Sequence, residues 1–161
     1  MARDVEARLA ALEDRLAIFE LEGSYARCFD SRNGAAWASL FTPDGIYQAR
    51  GATPDGGGIF VQGRDALERF CSDAPFAGVH LMHLPQLDVR GDAATGRVHL
   101  EFVGLFDSAG APSVRMIGYY DIAYARADGR WLIDRRVTTT FSRVDTSTAG
   151  YPAESGIPPG F

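Results

Sequence analysis

The stretch "SVRMIGYYDIAYARADGRWLIDRRVTTTFSRV", residues 113–144, decides the fold. β-branched and aromatic residues crowd it, and apolar and polar positions alternate over much of both halves, the period of a half-buried strand. Between the halves lies Asp128-Gly129, a dipeptide that accepts the left-handed backbone of a tight hairpin turn. Simple alternation puts Trp131, Ile133 and Val137 on one face of the second strand and Arg136 on the other.

Working outward, "TGRVHLEFVGLF" (95–106) and "LPQLDVRGD" (84–92) read as further strands, with turns at "GDAATG" and "DSAGAP". Val98, Leu100 and Phe102 make the apolar face of one strand, leaving His99 and Glu101 on the other face. Further upstream the period changes. Val5, Leu9, Leu12, Leu16 and Phe19 recur at alternating spacings of four and three, the apolar stripe of an amphipathic helix expected to run to about Asp30. "NGAAWASLF" reads as a second helix closed by the turn "TPDG", "GIYQA" as a short strand, "GATPDGGG" as a loop and "RDALERFCSD" as a third helix. Helices followed by a run of antiparallel strands predict an α+β fold, a curved antiparallel sheet closed by the helices around an internal cavity.

Composition narrows the function. The chain has 161 residues and a net charge of −5, without the basic stripe of a nucleic-acid binder. No apolar run approaches the ~20 residues of a membrane helix, and the charged "MARDVEAR" start is unlike a signal peptide, so a cytoplasmic protein is expected. Cys28 and Cys71 lack the spacing of a metal or disulfide framework. All sixteen basic residues are arginine. Without lysine, Schiff-base chemistry, a pyridoxal phosphate site and a lysine-bearing phosphate loop are excluded.

"VHLMHLP" (79–85) carries two of the three histidines, His80 and His83, three positions apart. Pro85 makes the segment extended, so the two side chains point to opposite faces and do not form a metal clamp. A catalytic imidazole needs a partner that fixes its tautomer, and Asp30 at the end of the first helix is placed to supply one.

"ELEGSYARCFDSRNGAAWASLFTPDGIY" (20–47), "VQGRDALERF" (61–70), "VHLMHLPQL" (79–87) and "DGRWLIDRR" (128–136), in that order, resemble the SnoaL-like branch of the NTF2-like superfamily over residues 5 to 143. The resemblance implies a cone-shaped domain over residues 1–145, with the Pro/Gly-rich tail 146–161 as a cavity lid or inter-subunit strap. It is nearest to cofactor-free lyases: scytalone dehydratase, bile acid 7α-dehydratase and hexachlorocyclohexane dehydrochlorinase. These use a histidine–aspartate dyad, which falls on His80 and Asp30. The dehydratases' tyrosine falls on Tyr25, where the dehydrochlorinase has lysine, and the dehydrochlorinase's arginine falls on Arg136. The bile acid dehydratase's additional acid falls on Phe102. Phe41, Tyr47, Phe76, Met116 and Tyr120 are the candidate apolar wall.

The resemblance thus implies a dehydratase-like elimination on a small hydrophobic cyclic molecule, with no metal or other cofactor. Isomerisation by proton transfer, a non-catalytic small-molecule binder and a partner-dependent subunit are the alternatives. It also implies a homodimer or homotrimer built on the outer sheet face, which includes Ile117 and Tyr119.

Overall fold

The computed structural model describes residues 2–50, 58–74, 76–106 and 112–147. Helix α1 (Ala2–Asp30) is followed by α2 (Gly34–Ser39), β1 (Phe41–Arg50), β2 (Ile59–Gln62), α3 (Arg64–Ser72), β3 (Phe76–Met82), β4 (Gln86–Arg90), β5 (Ala93–Phe106), β6 (Pro112–Ala127) and β7 (Arg130–Ser147). This is the α+β architecture, its curved sheet left unclosed. The strand order is β2-β1-β7-β6-β5-β3, with β4 paired to β5 off that path. The sheet is mixed rather than wholly antiparallel, because β1 lies parallel to β7. The four-residue strand β2 was not anticipated, and it pairs with β1 directly after the glycine-rich loop. The turn between β4 and β5 is only Gly91-Asp92, and the rest of "GDAATG" belongs to β5. Asp128-Gly129 forms the β6–β7 hairpin turn with φ of 50° and 74°, as read from the sequence. Residues 107–111 of the "DSAGAP" turn and the tail from 148 lie outside the described residues, and Pro112 already belongs to β6.

Helix α1 has two apolar faces in succession. Ile18, Leu21, Tyr25, Cys28 and Phe29 are buried against the sheet and the other helices. Val5, Leu9, Leu12 and Leu16, the stripe legible in the sequence, are each more than half exposed. At 100° per residue that stripe lies about 180° around the helix from the packed face.

The end of α1 is set by a Schellman closure: Asn33 N–H donates to Cys28 O and Arg32 N–H to Phe29 O, with Arg32 left-handed at φ 55°. Asp30 therefore occupies the last helical position and projects across to β3. Asn33 then caps α2, its side-chain oxygen accepting from Ala36 N–H.

Two bulges in β7 decide which side chains face inward. Tyr124 pairs with Ile133 and Ala123 with Arg135, so Asp134 is an extra residue; likewise Ile117 pairs with Ser142 and Gly118 with Thr140, leaving Phe141 extra. Each extra residue inverts the alternation. Trp131, Ile133, Arg136 and Thr138 are consequently buried together, and the reading that put Arg136 on the outer face is corrected.

Candidate active site

Three elements converge at the concave side of the sheet. Asp30, from the end of α1, accepts the His80 backbone N–H through Oδ2 at 3.0 Å and faces His80 Nδ1 through Oδ1 at 2.5 Å. The His80 side chain is 3% exposed, so this contact is largely withdrawn from water. A carboxylate only accepts, so Nδ1 carries the proton and Nε2 presents its lone pair. That lone pair faces the Tyr120 hydroxyl of β6 at 3.0 Å, and the hydroxyl therefore donates to it. Tyr25 is hydrogen-bonded to Tyr120 in turn. The result is a connected line from Tyr25 through Tyr120 and His80 to Asp30.

Burial raises Tyr25 and Tyr120 well above the ordinary phenol range, since a phenolate there would lose its hydration; Tyr120 raises Tyr25 further and Tyr47 raises Tyr120, while Arg136 offsets part of both shifts and the hydrogen bond from Tyr25 lowers Tyr120. Tyr47 is also raised by burial. All three hydroxyls keep their protons through neutral pH, and those of Tyr25 and Tyr120 act as donors. Burial likewise pushes the Cys71 thiol up to about 12, which marks it as inert packing rather than a nucleophile.

The line borders a cavity of about 130 Å³. Tyr25, Tyr47, His80, Phe102, Met116 and Tyr120 line it, as does Thr138, which donates to the Tyr47 hydroxyl at 3.4 Å. Sequence reasoning missed Phe29, Phe70, Ile59, Leu100 and Val114 on the same wall. Phe29 was findable, because Leu21, Tyr25 and Phe29 recur at helical spacing. The side chain of Phe76 lies outside the described residues.

Phe41, expected in the wall, and Arg136, which the resemblance placed in the substrate-binding set, do not reach the cavity. Phe41 is fully buried behind it, 4.9 Å from Trp37 and 6.3 Å from Tyr25 between ring centroids. Arg136 is fully buried too, with its guanidinium carbon 3.6 Å from the centre of the Tyr25 ring and 4.4 Å from that of Tyr120. Glu22, 3% exposed, receives both Arg136 Nη2 and, at 3.0 Å, the Tyr124 hydroxyl. Arg136 thus forms a cationic platform under the two tyrosines. Glu22 was missed by the sequence reading, although its signal was there: a lone acid between the buried positions Leu21 and Tyr25 of α1.

His83 is exposed, with its backbone N–H on His99 O at 2.9 Å, and His99 is exposed on the outer face. Among the described residues no three His, Cys, Asp or Glu side chains converge as metal ligands. Among the described residues no helix is long and apolar enough to cross a membrane. A wider, shallow groove of about 670 Å³ crosses the outer sheet face, but Arg97 and Asp121 within it are already paired at 2.7 and 2.9 Å.

The dyad depends on a missing side chain. A Cβ on Gly78, two residues before His80, would lie 2.3 Å and 2.5 Å from atoms of the Phe102 ring, which itself stands 4.7 Å from the His80 ring. Gly78→Ala is expected to push Phe102 toward His80 and to lower stability by about 1–3 kcal/mol. Urea unfolding checks this, and adding Phe102→Leu should recover most of the loss.

The family model described as the SnoaL-like domain matches residues 10–137. An NTF2-like protein with a cystatin-like fold from Novosphingobium aromaticivorans is 23% identical over 88% of this chain and 91% of its own, with a TM-score of 0.74. A provisionally assigned scytalone dehydratase from the same organism is 22% identical over 84% and 89% of the two chains, with a TM-score of 0.72. A type 3 hexachlorocyclohexane dehydrochlorinase from Novosphingobium barchaimii is 21% identical over 89% and 95%, also with a TM-score of 0.72. At these identities the likeness is one of fold.

Proposed function

Since the chain belongs to the SnoaL-like domain family, whose fold it shares with a dehydrochlorinase and a provisionally assigned dehydratase, we propose that it is a cofactor-free lyase. It eliminates water from a small, ring-containing hydroxy-carbonyl compound. The observation that carries this reading is the hydrogen-bonded line Tyr25–Tyr120–His80–Asp30 at the edge of an apolar cavity.

Asp30 holds the Nδ1–H tautomer and stabilises the imidazolium that forms, so His80 Nε2 is the base. With substrate in place of the Tyr120 contact, Nε2 takes the proton from the carbon next to the carbonyl. The C–H electron pair becomes the new C=C bond and the C–O bond to the hydroxyl breaks. The departing oxygen takes the Tyr120 proton and leaves as water; the phenolate then recovers a proton from the His80 imidazolium. Every proton is accounted for and no other reactant is needed. Tyr25, donating to Tyr120, steadies the transient negative charge, and Arg136 behind both rings does so at longer range.

Cavity size supports a substrate of about one ring, since ~150 Å³ accommodates benzene. The apolar lining keeps water from the base and strengthens the hydrogen bonds within.

The test is a panel of single-ring β-hydroxy ketones incubated in D2O, followed by enone absorbance and by deuterium at the α-carbon. Enone formation lost in His80→Ala is the expected result. Deuterium exchange without loss of water would replace the lyase by an isomerase working through the same base. A thermal shift with neither signal would overturn catalysis in favour of a binding protein.

A further inference from the structure

The exposed stripe of α1 follows a stricter rule than amphipathicity. Val5, Leu9, Leu12, Leu16 and Phe19 are spaced four, three, four and three, the heptad spacing of a coiled-coil seam with Leu9 and Leu16 at a and Val5, Leu12 and Phe19 at d. Val5, Leu9, Leu12 and Leu16 are 59%, 54%, 64% and 58% exposed; residues 4–13 are exposed on every side, and the domain body packs on the opposite side of the helix only from Asp14 onward. An isolated protein gains nothing from four large apolar side chains held in water in that order.

The flanking charges name the occupant. In this register the g positions are Arg8 and Arg15, and the e positions are Glu6, Glu13 and Glu20. Two copies side by side in parallel bring Arg8 against the partner copy's e position five residues on, which is glutamate, and Arg15 likewise. Reversing one helix brings arginine to arginine and glutamate to glutamate instead. Glu6, Arg8, Glu13 and Glu20 are exposed and available for this. Arg15 is half-buried and spends one N–H on the Leu87 carbonyl at 3.3 Å, so it contributes from a fixed position.

We propose that this chain self-associates through residues 5–19 of α1 as a parallel two-stranded coiled coil with a second copy of itself. The two domains then lie on the outside of the coil, their cavities independent of it. This contact is distinct from any association through the outer sheet face, and it stands or falls independently of the catalytic reading.

The test is self-cross-linking of the full chain. Both native cysteines are buried, so a new surface cysteine reports alone. Val5→Cys and Leu12→Cys, made separately, are each expected to give disulfide-linked dimers on mild oxidation, while Ala7→Cys on the helix's other face does not. A parallel pair aligns each residue with its own copy at every level, whereas an antiparallel pair can do so at one level only. In sedimentation equilibrium Arg8→Glu should weaken this association about fivefold, and Arg8→Glu with Glu13→Arg should restore it. Absence of cross-linking at either seam position, equal cross-linking at Ala7→Cys, or no recovery in the charge exchange would overturn the proposal and leave the stripe to a different occupant.

Discussion

Replacing His80 by alanine lowers kcat/KM by roughly 10²–10⁴, the range supplied by one general base, while the thermal unfolding curve changes little. Asp30→Asn should lose nearly as much for a different reason. Asp30 accepts twice, from the His80 backbone and from Nδ1, and an asparagine accepts through one oxygen only. Its NH₂ group then faces either the backbone N–H or Nδ1. If it faces Nδ1, the ring proton moves to Nε2 and the lone pair needed by substrate is gone. Because the two residues act as one unit, the double variant should be no worse than the poorer single one. Steady-state kinetics of the three variants on a turned-over substrate check this; full turnover by either single variant would remove the dyad from the mechanism.

The largest effect on stability is expected at Arg136. The cation is fully buried against Glu22, which is 3% exposed. Arg136→Met strands that carboxylate with the Tyr124 hydroxyl in place of a cation, at a cost of about 3–5 kcal/mol. Removing the acid as well, in Glu22→Leu with Arg136→Met, leaves no charge to desolvate and should recover most of that loss. Urea denaturation separates the two outcomes. The recovered double variant should still be a poor catalyst, since Tyr25 and Tyr120 have lost the cation beneath them. A double variant as unstable as Arg136→Met would mean that the arginine acts through packing of its stem rather than through charge.

Much of this was legible in the sequence because it rests on local rules. The helical period, the β-branched runs and Asp128-Gly129 gave the three helices and the run of strands from β4 to β7, while β2 went unread. The fold resemblance, confirmed over residues 10–137, named Asp30, His80 and Tyr25, which the structure brings to one edge of a cavity. Three things were not legible. The parallel pairing of β1 with β7 is a long-range choice that no local pattern encodes. The outward turn of Val5 to Leu16 follows from where the domain body ends along α1, not from the stripe itself. The role of Tyr120 as the group on His80 Nε2 needed the distance of 3.0 Å; from sequence it was one aromatic among several.

The extra residue at Asp134 bears on how roles are transferred between relatives of this chain. It acts as a phase switch, and the second one at Phe141 switches the phase again, so that β7 is read in three successive frames. A homologue that lacks the first insertion would present its aligned arginine to solvent and its neighbour to the interior. An alignment that slides the gap by one position along this strand would therefore match every letter plausibly and still assign each inner side chain to the wrong wall.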